Sequence, residues 1–141
     1  LACVDWSDRR QAEFAWVLEE TVLLGSGDKP DREATLAEIN VVLDRARNVA
    51  SHRINHPIAV ATTPRWRDEL WRIRCPTLVF HGCEDAVLPL EHGRALAREI
   101  ADASLLELEG MGHIIAPGSA YWMIFANALI SHTARGAALR R

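Results

Sequence analysis

Two short apolar runs with a helical pattern between them constrain the fold of this chain more than any other feature. The first run, Thr77 to Phe80, follows a proline and precedes a glycine, which is typical of a strand buried on both faces. The second run, Ser104 to Leu108, is equally short and ends at Gly110. Strand, helix and strand within about thirty residues predict a βαβ unit with two parallel strands. The fold class is therefore predicted to be α/β.

One side chain suited to catalysis follows each predicted strand. Asp85 comes after the first strand and His113 after the second. Because the loops that follow adjacent parallel strands lie together, we expect a carboxylate oxygen of Asp85 within hydrogen-bond reach of a His113 ring nitrogen, directly or through one water. Such a bond fixes the tautomer of the ring and stabilises the imidazolium. We expect Gly82, Gly110 and Gly112 to allow positive φ in these loops.

A nucleophile is missing from this arrangement. An acid and a histidine in this order form two thirds of a triad in the chain order nucleophile, acid, base. No Gly-x-Ser-x-Gly motif occurs, and no strand-turn-helix pattern surrounds a Cys or an Asp upstream. We interpret Gly25-Ser26-Gly27 as a loop that ends a helix, because it follows a helical stretch and its glycines flank the serine directly. We interpret Cys83, beside the acid, as a loop residue.

These loop residues resemble those of a known family. The motif HG-x-x-D-x-x-x-P followed by Gly-Met-Gly-His is similar to the acid and histidine loops of the α/β-hydrolase fold. The resemblance extends from about Arg65 to His132. Within the superfamily, PLEHGRALAREI and LEGMGH are most similar to esterases of small and mid-sized esters, including methylesterases of polyketide tailoring. The resemblance implies that Asp85 is the triad acid and His113 the base. It identifies no nucleophile and no substrate-binding residue in this chain.

Helical periodicity dominates the rest of the chain. In the resembled fold, a helical insertion before the acid strand forms a lid over the pocket. The resemblance therefore implies that residues 1–62 form a helical lid (cap) region and residues 63–141 the C-terminal part of the core. The predicted helices run from a cap at Ser7 or Asp8 to Gly25, from about Asp31 to Ala50, from Thr63 to about Leu70, and from about Ser119 to Thr133.

Composition excludes several classes of partner. The net charge of −3 and the absence of a basic stripe argue against a nucleic-acid partner. No apolar run approaches the ~20 residues that a membrane helix needs, so no membrane partner is expected. Three cysteines without metal spacing are typical of reduced thiols in a cytoplasmic protein. His52 and His56 share a helical spacing, but no third ligand follows and Pro57 is expected to end the helix, so neither a metal nor a cofactor is predicted.

The predicted function is ester hydrolysis by acyl transfer to water, with a small-molecule ester as the substrate of the complete enzyme. A two-stranded parallel sheet cannot cover its own faces and edges, so the sheet is expected to be incomplete. The chain, which begins at Leu1, is then an excerpt, half of a split enzyme or a decayed copy. We expect it to self-associate or to need an N-terminal partner segment. The alternative is a non-catalytic interaction module or an inactive hydrolase remnant.

Overall fold

The computed structural model of the chain describes residues 4–29, 31–116 and 118–138. Within these residues the only sheet has two parallel strands, β1 and β2. None of the described helices is both long enough and apolar enough to cross a membrane. In chain order the elements are α1 (Arg9–Leu24), α2 (Arg32–Arg45), α3 (Ala50–Thr62), a 3₁₀ helix (Arg67–Arg72), β1 (Thr77–Gly82), α4 (Leu90–Glu99), β2 (Ala103–Leu108) and α5 (Ala120–Ala138).

The predicted βαβ unit is confirmed. The strands pair in register from Thr77 opposite Ala103 to Gly82 opposite Leu108, so that both end at the same level. Helix α4 connects them and packs against both. On β1, Phe80 packs against α5, where its ring lies 4.9 Å from that of Phe125. The two loops that leave the strands therefore begin side by side.

The chain divides into two compact units. The first comprises the described residues of Leu1–Thr21 and Pro30–Arg65, and the second those of Val22–Lys29 and Trp66–Arg141. The core of the first unit lies between α1 and α2 and consists of Ala12, Ile39 and Leu43, with Trp6, Trp16, Val17 and Val49 packed against it. The short segment Val22–Lys29 thus clusters with the strands. The assignment of residues 1–62 to a lid stays a prediction.

The boundaries of α1 follow local rules of capping. The side chain of Asp8 accepts a hydrogen bond from the Gln11 amide at 3.0 Å, which identifies Asp8 as the N-terminal cap. The helix ends at Leu24. Gly25 follows with a φ of 83°, the left-handed conformation that ends many helices. The interpretation of Gly25-Ser26-Gly27 as a loop that ends a helix is therefore confirmed.

The second predicted helix is wrong in its length. It ends at Arg45 and a separate helix, α3, begins at Ala50. Asn48 explains the break, because its side chain accepts a hydrogen bond from the Ser51 amide at 3.2 Å. An asparagine side chain that binds the backbone in this way competes with continuation of a helix. Apolar periodicity spans the break and so concealed it.

Two further expectations about this region are wrong. Pro57 does not end a helix but lies inside α3. A proline there removes one hydrogen bond of the helix, and residues 54–62 around it are exposed to solvent. Thr63 does not cap a new helix either. Its hydroxyl donates to the Ala59 carbonyl at 2.6 Å and closes the end of α3, and the next element is the 3₁₀ helix at Arg67–Arg72.

The glycines after the strands were predicted to allow positive φ, and of the three only Gly110 adopts it, with a φ of 72°. Gly82 and Gly112 are required for a different reason. A Cβ atom on Gly82 would overlap the Gly112 carbonyl oxygen, and one on Gly112 would overlap the Leu23 carbonyl oxygen. These two glycines allow backbone segments to approach each other, which local sequence does not reveal.

Replacing Gly82 with alanine is expected to destabilise the protein by about 2 kcal/mol or more, because the methyl group overlaps backbone that cannot move aside. Gly118→Ala is the control. A Cβ atom added to Gly118 has no atom within 4 Å. The positive φ of 81° at this position is expected to destabilise the alanine variant by only about 1 kcal/mol. Urea unfolding followed by tryptophan fluorescence measures both. A Gly82→Ala protein that is no less stable than Gly118→Ala would contradict the steric argument.

Candidate active site

The loop after β1 holds Asp85 through its backbone and its side chain. The Cys83 amide donates to the Leu108 carbonyl at 3.0 Å, which continues the strand pairing by one residue. The side chain of Asp85 is only 6% exposed. Its Oδ1 atom accepts hydrogen bonds from the amides of Val87 and Leu88, both at 2.8 Å. This closed turn leaves the second carboxylate oxygen, Oδ2, available for another partner.

The loop after β2 is held by the C-terminal end of α1. The Gly112 amide donates to the Leu24 carbonyl at 2.7 Å, and the His113 amide donates to the Leu23 carbonyl at 2.6 Å. The last carbonyls of a helix lack partners within the helix. The carbonyls at the end of α1 therefore accept hydrogen bonds from the loop after β2, residues 109–114, which is called the histidine loop below. These bonds fix the backbone of His113.

The structure brings Asp85 and His113 together as the spacing predicted. His113 Nδ1 lies 2.9 Å from Asp85 Oδ2. The carboxylate can only accept, so Nδ1 donates and the lone pair of the neutral ring is on Nε2. The His113 side chain is 34% exposed, and within residues 4–29, 31–116 and 118–138 no hydrogen bond engages Nε2. This nitrogen is free to take a proton from a reacting group.

The surroundings of Asp85 keep its carboxyl group ionised. Burial acts to raise its pKa, but the hydrogen bonds from the Leu88 amide, the His113 ring and the Val87 amide outweigh this effect. The pKa of Asp85 therefore lies below its ordinary value of 3.8. An ionised carboxylate is the form that holds a histidine in one tautomer and stabilises its positive charge.

The other nucleophilic side chains near this pair are not activated. The hydroxyl of Ser26 donates to Glu84 Oε1 at 2.6 Å rather than to an imidazole. Burial and the nearby carboxylate of Glu109 raise the pKa of the Cys83 thiol, which disfavours the reactive thiolate. Among the residues that the structure describes, no three side chains of the metal-binding types form a cluster. The side chain of His52 lies outside the described residues.

His81 is a neighbour of the acid that the sequence reasoning did not include in the site. Its ring is 8% exposed, and its Nδ1 atom donates to the Gly82 carbonyl at 2.9 Å. Its Nε2 atom lies 4.0 Å from Asp85 Oδ2. The ring packs beneath Gly93 of α4, where a Cβ atom would crowd it. The motif HG-x-x-D already contained this residue, four positions before the acid, but motif spacing did not reveal its contact with Asp85.

The chain is similar in sequence and in structure to known hydrolases. No protein-family model matches the chain. Over 61 residues it is 39% identical to a pimeloyl-[acyl-carrier protein] methyl ester esterase of Chromobacterium violaceum, a match that covers 43% of this chain and 23% of that protein. The structure of the present chain is similar to that of a serine hydrolase involved in carbazole degradation. The two have a TM-score of 0.68 and 21% sequence identity, and the match covers 86% of this chain and 47% of the other.

A second solved structure, that of a membrane phospholipase A described as a bacterial virulence factor, has a TM-score of 0.59 and 14% identity. It aligns with 83% of this chain and 38% of its own. The chain has part of the α/β-hydrolase fold. The resemblance based on the two loops is therefore confirmed at the level of the fold. The chain spans less than half the length of each of these relatives.

The lowered pKa of Asp85 predicts how stability depends on pH. Because the folded protein binds this proton less readily than the unfolded chain, the carboxylate stabilises the fold above about pH 4. That contribution is lost as the pH falls through the lower pKa of the folded state. We expect urea unfolding at about pH 6 and about pH 3 to show a larger loss of stability for the natural chain than for Asp85→Asn. Equal losses would contradict the lowered pKa.

Proposed function

We propose that the complete protein is a carboxylic ester hydrolase that works by acyl transfer to water, with His113 as its base and Asp85 as its triad acid. The observation that carries the proposal is the 2.9 Å bond between His113 Nδ1 and Asp85 Oδ2, with Nε2 left free. The partial α/β-hydrolase fold and the 39% identity to a methyl ester esterase support it. A small-molecule ester is the proposed substrate class.

In the proposed mechanism, His113 Nε2 takes the proton from a serine hydroxyl as its oxygen attacks the ester carbonyl. The imidazolium formed is stabilised by the carboxylate of Asp85. The same proton passes from Nε2 to the leaving alkoxide, and the acyl group remains on the serine. His113 then takes a proton from water, which attacks the acyl group, and returns that proton to the serine oxygen as the acid is released.

The serine and most of the oxyanion hole are proposed to come from polypeptide outside these 141 residues. The bond between Ser26 and Glu84 supports this division, because it engages the hydroxyl away from His113. The chain also spans only 47% of the structurally similar serine hydrolase. A cytoplasmic location is proposed on the basis of the free thiols of Cys75 and Cys83. Cys3 lies outside the described residues.

The activity test compares the chain alone with the chain co-expressed with the polypeptide encoded immediately upstream of Leu1. The chain alone is expected to give no burst with p-nitrophenyl esters and no serine labelling by a fluorophosphonate. In the active complex, His113→Ala should abolish turnover. Asp85→Asn should lower kcat by about four powers of ten, as loss of the correct tautomer does in serine proteases.

His92→Ala is the matched control for these variants, since this histidine is exposed on α4 outside the site. It should retain the activity of the natural complex. Labelling of the isolated chain, which would be mapped first at Ser26, would contradict the division of the triad. An upstream sequence without a nucleophile elbow, or a complex in which His113→Ala remains active, would overturn the proposed function in favour of a non-catalytic module.

Self-association of the isolated chain, or binding of an N-terminal partner segment, is also proposed. The sheet has only two strands in the described part of the chain, which leaves backbone donors and acceptors unpaired at its edges. On α5, Met123 and Ile130 are 61% and 65% exposed. Size-exclusion chromatography with light scattering is expected to show oligomers or aggregates unless the partner segment is present. A monodisperse monomer with cooperative thermal unfolding would contradict this expectation.

A further inference from the structure

The segment Gly25-Ser26-Gly27 contacts the acid loop through one side chain. The Ser26 hydroxyl donates to Glu84 Oε1 at 2.6 Å, and the Ser26 amide donates to Glu84 Oε2 at 2.7 Å. Both oxygens of one carboxylate are thus engaged by one residue, and hydrogen bonds to an ionised acceptor are stronger than neutral ones. These bonds lower the pKa of Glu84, which is charged at neutral pH. Glu84 directly precedes Asp85 in the chain.

The same segment also contacts the histidine loop, through its backbone. The Gly27 amide donates to the Gly110 carbonyl at 2.8 Å. Immediately before it, the Leu23 and Leu24 carbonyls accept the amides of His113 and Gly112. The segment that binds Glu84 therefore directly follows the helix end that holds the backbone of His113.

Steric fit leaves this segment little freedom to move. A Cβ atom on Gly25 would lie 2.5 Å from both the Gly110 carbonyl oxygen and the Gly112 amide nitrogen. A Cβ atom on Gly27 would overlap the hydroxyl of Tyr121. That hydroxyl donates to the Glu109 carbonyl at 2.7 Å and is itself fixed. The two glycines that flank Ser26 are therefore packed directly against the loop that carries His113.

We propose that Ser26 and Glu84 are positioning residues, which hold the histidine loop against the acid loop so that His113 Nδ1 stays within hydrogen-bond distance of Asp85. The inference rests on the proposed function, because it concerns the same pair of residues. Glu84 links Asp85, its chain neighbour, to Ser26, and Ser26 is linked to His113 through the carbonyls at the end of α1. The Gly-Ser-Gly segment thus acts on the geometry of the base and supplies no nucleophile.

The test uses the full 141-residue chain, together with the upstream partner segment where that segment is needed to keep the chain monodisperse, and needs no catalysis. Ser26→Ala removes the hydroxyl, Glu84→Ala removes both bonds, and Ser26→Thr keeps the hydroxyl. Glu84→Gln is the milder variant to use if Glu84→Ala does not fold. Ser104→Ala and Glu33→Gln are the matched controls, since both side chains are exposed and lie outside the two loops.

Two measurements report the position of His113. Imidazole ¹⁵N chemical shifts give the tautomer, which is Nδ1-protonated when the ring donates to Asp85. Amide hydrogen exchange gives the protection of Gly112, His113 and Ile114. In Ser26→Ala and Glu84→Ala we expect partial loss of the Nδ1–H tautomer and roughly tenfold faster exchange at these amides. Exchange in β1 should stay unchanged, and Ser26→Thr should restore the natural values.

Each outcome decides between a positioning role and its alternatives. Unchanged tautomer and unchanged exchange in both Ser26→Ala and Glu84→Gln, relative to the controls, would overturn the inference. Faster exchange throughout β1 and β2, with no selective effect at His113, would also overturn it, since that pattern indicates a purely structural role. A natural chain without the Nδ1–H tautomer would instead overturn the proposed function, so the two failures are distinguishable.

Discussion

Close packing of backbone against backbone at the histidine loop is the constraint on which the site depends. The loop residue Gly112 lies against Gly82 at the end of β1 and against Leu23 at the end of α1, and a side chain at either glycine would separate these segments. Because the approach is so close, the amides of Gly112 and His113 reach the free carbonyls of the helix end. These backbone bonds fix the main-chain position from which the His113 ring extends.

The parallel strands and the helix end contribute different parts of the site. The register of β1 and β2 brings the acid and histidine loops to one edge of the sheet, but an edge alone does not align two side chains. Alignment comes from the turn that closes on Asp85 Oδ1 and from the bonds that α1 accepts. Asp85 is buried and charged while His113 is partly exposed, which suits an acid that orients and a base that exchanges protons with a substrate.

The errors of the sequence analysis have a common physical origin. Apolar periodicity predicted one helix where Asn48 separates α2 from α3. Periodicity indicates only which face of a helix is buried. It does not detect a side chain such as that of Asn48, which accepts the hydrogen bond of a backbone amide and so interrupts the helix. Pro57 predicts a helix end, but α3 continues through it, and residues 54–62 are exposed. For Gly82 and Gly112, the predicted role was a local one, positive φ in a loop. These positions require glycine because backbone that is distant in sequence lies too close to leave room for a side chain.

The sequence by itself determined the βαβ unit and the positions of Asp85 and His113, because strand and helix periods, loop glycines and motif spacing are properties of neighbouring residues. It also determined that no serine here follows the nucleophile pattern. Only the tertiary structure decided which carbonyls hold His113, that His81 lies beside the acid, and that Ser26 binds Glu84. Ser26 and Glu84 are 58 residues apart, and nothing in either local sequence specifies the other. Their contact depends on the packing of the segment Val22–Lys29 with the strands in one compact unit.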